Sequence, residues 1–333
     1  MTVVVTGASG HVGNNLVRAL IAEKHPVRVL IHNNQQMFQG LGVEVVQGNV
    51  SDMESLCRAF EGAETVYHLA AIISLLKSEW PLVEKVNVFG TRNVVEACRR
   101  SGVKRLVHFS SIHAMVQEPF DKPVDESRTL VTGRQNPPYD RSKAAGEMEV
   151  RKGIEKGLDA VIVNPTGIIG PFDYQPSHFG SALLSIANGK MIALINGGFD
   201  WVDVRDVVQG AMLAEKKAPA GSKYLLSGHW ASMCDIANVI KEISDASIPG
   251  FICPMPVARF GAPFSTAYNR LLGKRVFYTS VAMRALNSNH NISYEKAARE
   301  LGYQSRPFKE TITDTLKWFA QNGNLKCRLK SNQ

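Results

Sequence analysis

The sequence lacks paired cysteines, long apolar runs, repeats and blocks of like charge. Its five cysteines, Cys57, Cys98, Cys234, Cys253 and Cys327, stand far apart, without the close spacing that a zinc site or a redox dithiol needs. They read as reduced structural thiols, and no metal is expected. The most apolar window, Tyr67 to Leu76, is about half the length of a membrane-spanning helix, so no membrane partner is expected. No basic segment with an apolar core precedes Thr2-Val3-Val4-Val5, which makes the cytoplasm the expected compartment. Lysine and arginine outnumber aspartate and glutamate by 38 to 30, a net charge of +8. Only Lys326 to Lys330 concentrates the excess. A diffuse surplus suits an anionic small molecule better than a nucleic-acid groove, and no nucleic-acid partner is expected.

What is present is an ordinary globular composition, 44% hydrophobic and 20% charged. Short β-branched runs alternate with helical spacing, the mark of stacked βαβ units around a parallel sheet. Strands are expected at Val3 to Val5, Val27 to Ile31, Val43 to Val46, Thr65 to Leu69, Arg105 to Phe109 and Ala160 to Val163. Helices are expected at Val12 to Lys24, Met53 to Phe60, Pro81 to Arg100 and Arg141 to Lys156. Beyond Asn164, Pro165, Gly167, Gly170, Pro171 and Pro176 read as loop leaving the sheet. Helical spacing returns at Val202 to Lys216, Ser293 to Leu301 and Thr311 to Gln321. The expected architecture is α/β: a Rossmann-type doubly wound parallel sheet from residues 1–165 and 200–225, with a smaller substrate-binding lobe from 166–199 and 226–325.

Thr6-Gly7-Ala8-Ser9-Gly10-His11-Val12-Gly13 leaves the first strand and opens a helix, the context of a dinucleotide fingerprint. Gly7 permits the tight turn, Gly10 lets a pyrophosphate approach the backbone, and Gly13 lets the helix pack closely. The helix N-terminus adds unpaired N–H groups and partial positive charge. The second strand ends in Leu30-Ile31-His32-Asn33, without the acid that an NAD enzyme sets against the ribose hydroxyls. NADP(H) is therefore favoured, with His32 and Asn33 near its 2′-phosphate, and NAD(H) is the alternative.

Tyr139 and Lys143 lie four residues apart at the start of an expected helix, which places both on one face. An ammonium beside a phenol is expected to bring its pKa down from about 10 toward neutral and fit it for proton transfer. The strand Arg105 to Phe109 runs into Ser110-Ser111 at the carboxyl edge of the sheet, where ligands of open α/β folds bind. A hydroxyl there orients a substrate carbonyl, and Ser110 reads more as a cap for strand-end backbone. His113 reads as a wall of the substrate pocket.

Taken together, the chain resembles the extended short-chain dehydrogenase/reductase superfamily, in the dihydroflavonol reductase-like branch of the NAD(P)-dependent epimerase/dehydratase relatives. The resemblance rests on Thr6 to Gly13, Gly48-Asn49-Val50, Tyr67 to Ala71, Asn87 to Thr91, Ser110-Ser111, Tyr139 to Lys143, Asn164 to Gly167 and Trp201 to Val207. It implies a catalytic set of Ser111, Tyr139 and Lys143, with Lys143 also on the cofactor ribose. It further implies Asn49 and Val50 at the adenine, Leu69, Ala70 and Ala71 along the pyrophosphate, and Pro165 and Thr166 at the nicotinamide. Asn87 is expected either to touch the cofactor or to brace its helix. Sugar-nucleotide members follow the catalytic serine with Val-Tyr-Gly and carry an arginine where this chain has Phe199; here Ile112-His113-Ala114 follows the serine. Both departures count against a nucleotide sugar. Phe172, Tyr174, Phe179 and Phe199 are candidates for an apolar pocket instead.

The expected activity is NADP(H)-dependent reduction of a ketone or aldehyde of a small, partly apolar molecule. The alternatives are an NAD-retaining nucleotide-sugar epimerase or dehydratase and a non-catalytic cofactor sensor. By analogy with similar proteins, the helices at Pro81 to Arg100 and Arg141 to Lys156 would pair two copies in a homodimer.

Overall fold

The structure, a computed structural model, describes residues 2–32, 35–74, 76–261 and 286–330. The sheet-forming strands are β1 (Thr2–Thr6), β2 (Val27–Ile31), β3 (Glu44–Gln47), β4 (Ala63–His68), β5 (Arg105–Phe109), β6 (Ala160–Pro165), β7 (Gly167–Ile169), β8 (Leu194–Ile195), β9 (Gly198–Asp203), β10 (Lys223–Leu226), β11 (His229–Ser232) and β12 (Ile252–Cys253). Seven of them form one sheet in the order β10-β6-β5-β4-β1-β2-β3, and every pair in it is parallel. Val3, Val4 and Val5 are all buried because helices cover both faces, which is why β1 has no polar alternation. The order reverses direction between β1 and β4, the switch point where such sheets open a crevice for a ligand.

The helices include α1 (His11–Ala22), α2 (Met53–Phe60), α3 (Trp80–Glu84), α4 (Gly90–Arg100), α5 (Pro138–Glu155), α6 (His178–Ala187), α7 (Val204–Lys217), α8 (Met233–Ile243), α9 (Glu295–Leu301) and α10 (Phe308–Gln321). The single helix expected over Pro81 to Arg100 is broken: a π-helical segment, Lys85–Phe89, separates α3 from α4. The reason is a close approach of α5, for a Cβ on Gly146 would stand 2.7 Å from the Asn87 carbonyl oxygen. Beyond Asn164 the chain is more regular than its Pro and Gly content implies. It adds β7, β9 and β11 as a three-stranded sheet and β8 and β12 as a two-stranded one.

A core including Val5, Leu16, Val29, Val107 and Tyr224 fills one face of the large sheet, and one including Val4, Leu56, Val66 and Ile162 fills the other. A third core, with Phe199, Trp201, Leu183, Ile236 and Phe319, sits among the small sheet and helices α6, α8 and α10. Among the described residues no helix is long and apolar enough to cross a membrane. No group of three His, Cys, Asp or Glu among them is placed to hold a metal ion.

Candidate active site

The three glycines after β1 differ in what confines them. Gly7 has φ +71°, and a Cβ there would stand 2.6 Å from the Ala70 backbone nitrogen. A Cβ on Gly13 would lie 2.2 Å from the Gly7 carbonyl oxygen, so α1 packs directly on the turn. Gly10 is different: its Cβ would meet only the Gly7 oxygen, at 3.4 Å. Fold packing therefore demands glycine at positions 7 and 13, whereas the bareness of Gly10 leaves space for a ligand. Gly10 is also the N-cap of α1, with no capping side chain and no acid in the first turn, so the helix end is left to an anion. His11 Nε2 lies 2.9 Å from the Pro171 carbonyl oxygen and ties the turn to the segment after β7.

A cavity of about 800 Å³ runs from this turn across the carboxyl edge of the sheet. Gly7, Gly10, His11, Val12 and Gly13 line one end with Leu69 and Ala71; Ser110, Ser111, Tyr139, Lys143, Pro165 and Thr166 line the middle. The far end is mostly apolar, with Met115, Met191, Leu194, Ile195, Phe179 and Phe199 among its walls. Thus most of the expected residues converge, although they come from the ends of β1, β4, β5 and β6 and from the first turns of α5.

Several expected residues lie elsewhere. Ser9, His32, Asn49, Val50, Ala70 and Asn87 do not line the cavity, and Asn33 lies outside the described residues. Val50 is buried in the core beneath α4, and the Asn49 side chain accepts the Ser51 amide. Asn87 is a brace: its amide oxygen accepts from Ile72 N at 2.8 Å, and its nitrogen donates to Ile72 O and to Ser142 Oγ. Phe172 and Tyr174, expected as pocket walls, instead gather around Trp318, and Arg18 lies over both rings. The turn that gives Phe172 its positive φ carries them away from the cavity. Of the four aromatic candidates, Phe179 and Phe199 reach it.

Lys143 donates to the Phe109 carbonyl oxygen at 2.6 Å, which clamps α5 to the end of β5. Burial lowers its ammonium to a pKa of about 8, and the carboxylate of Glu147 one turn below opposes the fall. Glu147 is itself buried and receives Asn164, Arg151 and Lys223. Asn164 also donates to the Ser111 carbonyl oxygen at 3.0 Å, so the Glu147–Asn164 pair positions Ser111, while Lys143 is held by Phe109 O. Tyr139 departs from the expectation of a more acidic phenol. Burial pushes the phenol up to about 12; hydrogen bonding to Ser111 opposes this and the Asp140 charge adds to it. Aimed at Phe109 O, the ammonium does not offset that desolvation.

Ser110, expected as a strand cap and also among the cofactor-binding residues, departs from the first of these readings. Its hydroxyl is buried yet has no partner, so it does not cap the strand end. A buried unpaired hydroxyl on the cavity wall is free to meet a bound molecule. With the open face of Gly10, it makes the groove fit a dinucleotide whose pyrophosphate rests on α1.

Sequence reasoning named Phe179, Phe199 and His113 but missed Asp200 and the aliphatic walls Met115, Met191, Leu194 and Ile195. The Asp200 carboxylate takes the Thr166 hydroxyl at 2.6 Å and the Gly228 amide at 2.8 Å, fixing Thr166 against the cavity. Phe199 stacks on His113 with centroids 5.6 Å apart, and Phe179 packs against Phe199 and Trp201. These contacts join segments distant in sequence, and no local spacing announces them.

A profile described as the NAD dependent epimerase/dehydratase family matches residues 3–226. Sterol demethylase protein B of Methylococcus capsulatus is 35% identical over 329 residues, covering 97% of this chain and 99% of that protein. A 4-hydroxy-2-methyl-3-oxo-4-farnesyl-3,4-dihydroquinoline-1-oxide ketoreductase of Stigmatella aurantiaca is 28% identical, covering 95% of this chain and 96% of its own. Among solved structures, one titled crystal structure of gox2253 superposes with a TM-score of 0.84 at 32% identity, over 98% of this chain and 99% of that one.

Proposed function

From the premise that the chain belongs to the NAD dependent epimerase/dehydratase family, within the extended short-chain dehydrogenases, we propose that it reduces a ketone or aldehyde of a partly apolar substrate with NADP(H). The observation that carries this reading is the placement of the Tyr139 phenol in the middle of a cavity that is a glycine cradle at one end and an apolar cleft at the other. Gly10, the N-terminus of α1, Ser110 and Lys143 would hold the cofactor, which when bound supplies the hydride. Tyr139 gives its proton to the carbonyl oxygen. Ser111 donates to the same oxygen, and the charge of Lys143 steadies the phenolate left behind. Pro165 and Thr166, backed by Asp200, close the site against the small sheet. The missing acid after β2 supports NADP(H) over NAD(H).

The apolar far wall supports a bulky hydrocarbon body on the substrate. The relatives' names, one speaking of a sterol and the other of a farnesyl-bearing oxo compound, agree with such a body. Phe199, in place of an arginine, weighs against a nucleotide diphosphate.

Titration of the purified protein with NADPH and NADH tests this reading. Tighter NADPH binding to empty protein and oxidation of NADPH by apolar ketones are expected. Tightly held NAD that survives purification, with no net absorbance change during turnover, would overturn it in favour of an epimerase or dehydratase.

A homodimer belongs to the same proposal, since Leu82, Phe89 and Met148 are exposed on α3, the π segment and α5. Light scattering should give the mass of two chains; a monomer at micromolar concentration would remove this part.

A further inference from the structure

His113 and Asp140 come from separate elements and meet beside the proton donor. His113 stands in a 3₁₀ turn, Ile112–Ala114, whose backbone is fixed by the Ser111 side chain accepting the His113 amide at 3.2 Å. Asp140 follows Tyr139 in the first turn of α5, where a negative charge is favoured. His113 Nδ1 faces Asp140 Oδ1 at 3.5 Å. The imidazole stacks on Phe199 and stands edge-on to the Tyr139 ring, with centroids 5.9 Å apart. Packing therefore fixes the ring on one face and one edge, while the side chain keeps 30% of its accessibility and lines the cavity.

The chemistry of this pairing is asymmetric. A carboxylate only accepts, so the contact with Asp140 favours the neutral tautomer that carries its hydrogen on Nδ1. Nε2 then keeps its lone pair, in a cavity where hydrocarbon walls such as Phe199 and Met115 mix with polar side chains such as Ser111, Tyr139, Gln117 and Asn136. We propose that His113, oriented by Asp140, is a specificity-determining residue whose Nε2 accepts a hydrogen bond from a substrate hydroxyl close to the reacting carbonyl. The adjacency of His113 to Tyr139 sets the spacing: a molecule that offers its carbonyl to the phenol and a donor to the imidazole carries the two oxygens within a few bonds. The substrate class is accordingly a hydroxyketone on an apolar body. This rests on the ketone-reduction reading and narrows it.

Two isosteric probes separate the possibilities: 2-hydroxy-1-(naphthalen-2-yl)ethanone and 1-(naphthalen-2-yl)propan-1-one, in which a methyl replaces the hydroxyl. Binding of each to the full chain is measured by calorimetry with and without NADP+, conditions under which neither ketone is reduced. The wild-type protein should prefer the hydroxyketone by about tenfold, the scale of one hydrogen bond made in a water-poor site. His113→Phe keeps the stack on Phe199 but cannot accept, and should bring the ratio to about one. His113→Gln restores an acceptor and should recover part of the preference, and Asp140→Asn should reduce it. Equal binding of the two probes to the wild type would overturn the proposal, as would a preference that survives His113→Phe. Should His113→Phe fail to fold, Asp140→Asn decides: an unchanged ratio in that variant overturns the proposal. A preference that persists while NADPH is oxidised by neither ketone would instead refute the reductase reading and leave the recognition role of His113 standing.

Discussion

Gly10 and Gly13 lie within one turn, yet opposite pressures hold them as glycine. Gly13→Ala drives a Cβ into the Gly7 carbonyl, 2.2 Å away, and should destabilise the fold by about 1–3 kcal/mol, as overpacking does. A Cβ on Gly10 meets only the Gly7 oxygen, at 3.4 Å, so Gly10→Val should cost no more stability than its poorer N-cap, about 1 kcal/mol, while NADPH affinity drops at least tenfold. Thermal melts paired with cofactor titrations check both variants; equal affinity in Gly10→Val would remove the cradle. The turn was legible in the sequence because its order of residues encodes the backbone path directly. The pKa of Tyr139 was not. Its spacing from Lys143 fixes a shared helix face but says nothing of how deeply the phenol is buried, or of the Phe109 carbonyl that takes the ammonium.

The element least legible was the helix pair before β5. Pro81 to Arg100 has unbroken helical periodicity, and a π segment leaves that pattern intact while rotating the residues around it. The register change presents the Asn87 side chain to Ile72 and Ser142, pinning the strand exit beside the cavity. π bulges recur at functional sites for this reason. Gly146→Ala would place a methyl 2.7 Å from the Asn87 carbonyl oxygen, prising α5 from the bulge. The expected outcome is a loss of about 1–3 kcal/mol of stability together with weaker NADPH binding, because α5 also carries Lys143. Chemical denaturation and the cofactor titration on the same sample check it, and unchanged values in both would contradict the role given to this contact. The strands of the smaller sheets were hidden for another reason: β7 and β11 are short, and β7 lies among the Pro165, Gly167 and Gly170 that the sequence reading took for loop. Gly167 and Gly198 are there because aromatic rings and backbone cross close to them.

Across the whole molecule, the large sheet carries two buried histidines beneath the site. Thr91 donates its hydroxyl to Asn87 O, so it accepts from His68 Nε2, and His68 Nδ1 in turn accepts from Thr6. His108 lies against His68, with centroids 5.3 Å apart and both ring nitrogens unpaired. Burial, followed by the charge of Lys143, lowers His68 to a pKa of about 3; burial, then His68 and Lys143, take His108 well below its ordinary value. Below about pH 6.5 the unfolded chain takes up these protons and the folded chain does not, so stability present above that pH is lost as acid is added, by about 1.4 kcal/mol per pH unit for each ring. His108→Leu removes one such ring and two unpaired polar atoms. Its melting temperature should fall less between pH 8 and pH 5 than that of the wild type, and an identical fall would contradict the buried neutral pair. The same sheet brings the glycine turn, the protonated phenol and the apolar cleft into one cavity, and their joint action is the central claim. It is tested most directly by single-turnover oxidation of bound NADPH by an accepted ketone, in the wild type and in Tyr139→Phe. The variant should bind NADPH as the wild type does and lose about 10²–10⁴-fold in rate, the contribution of a positioned proton donor; an undiminished rate would contradict the assignment.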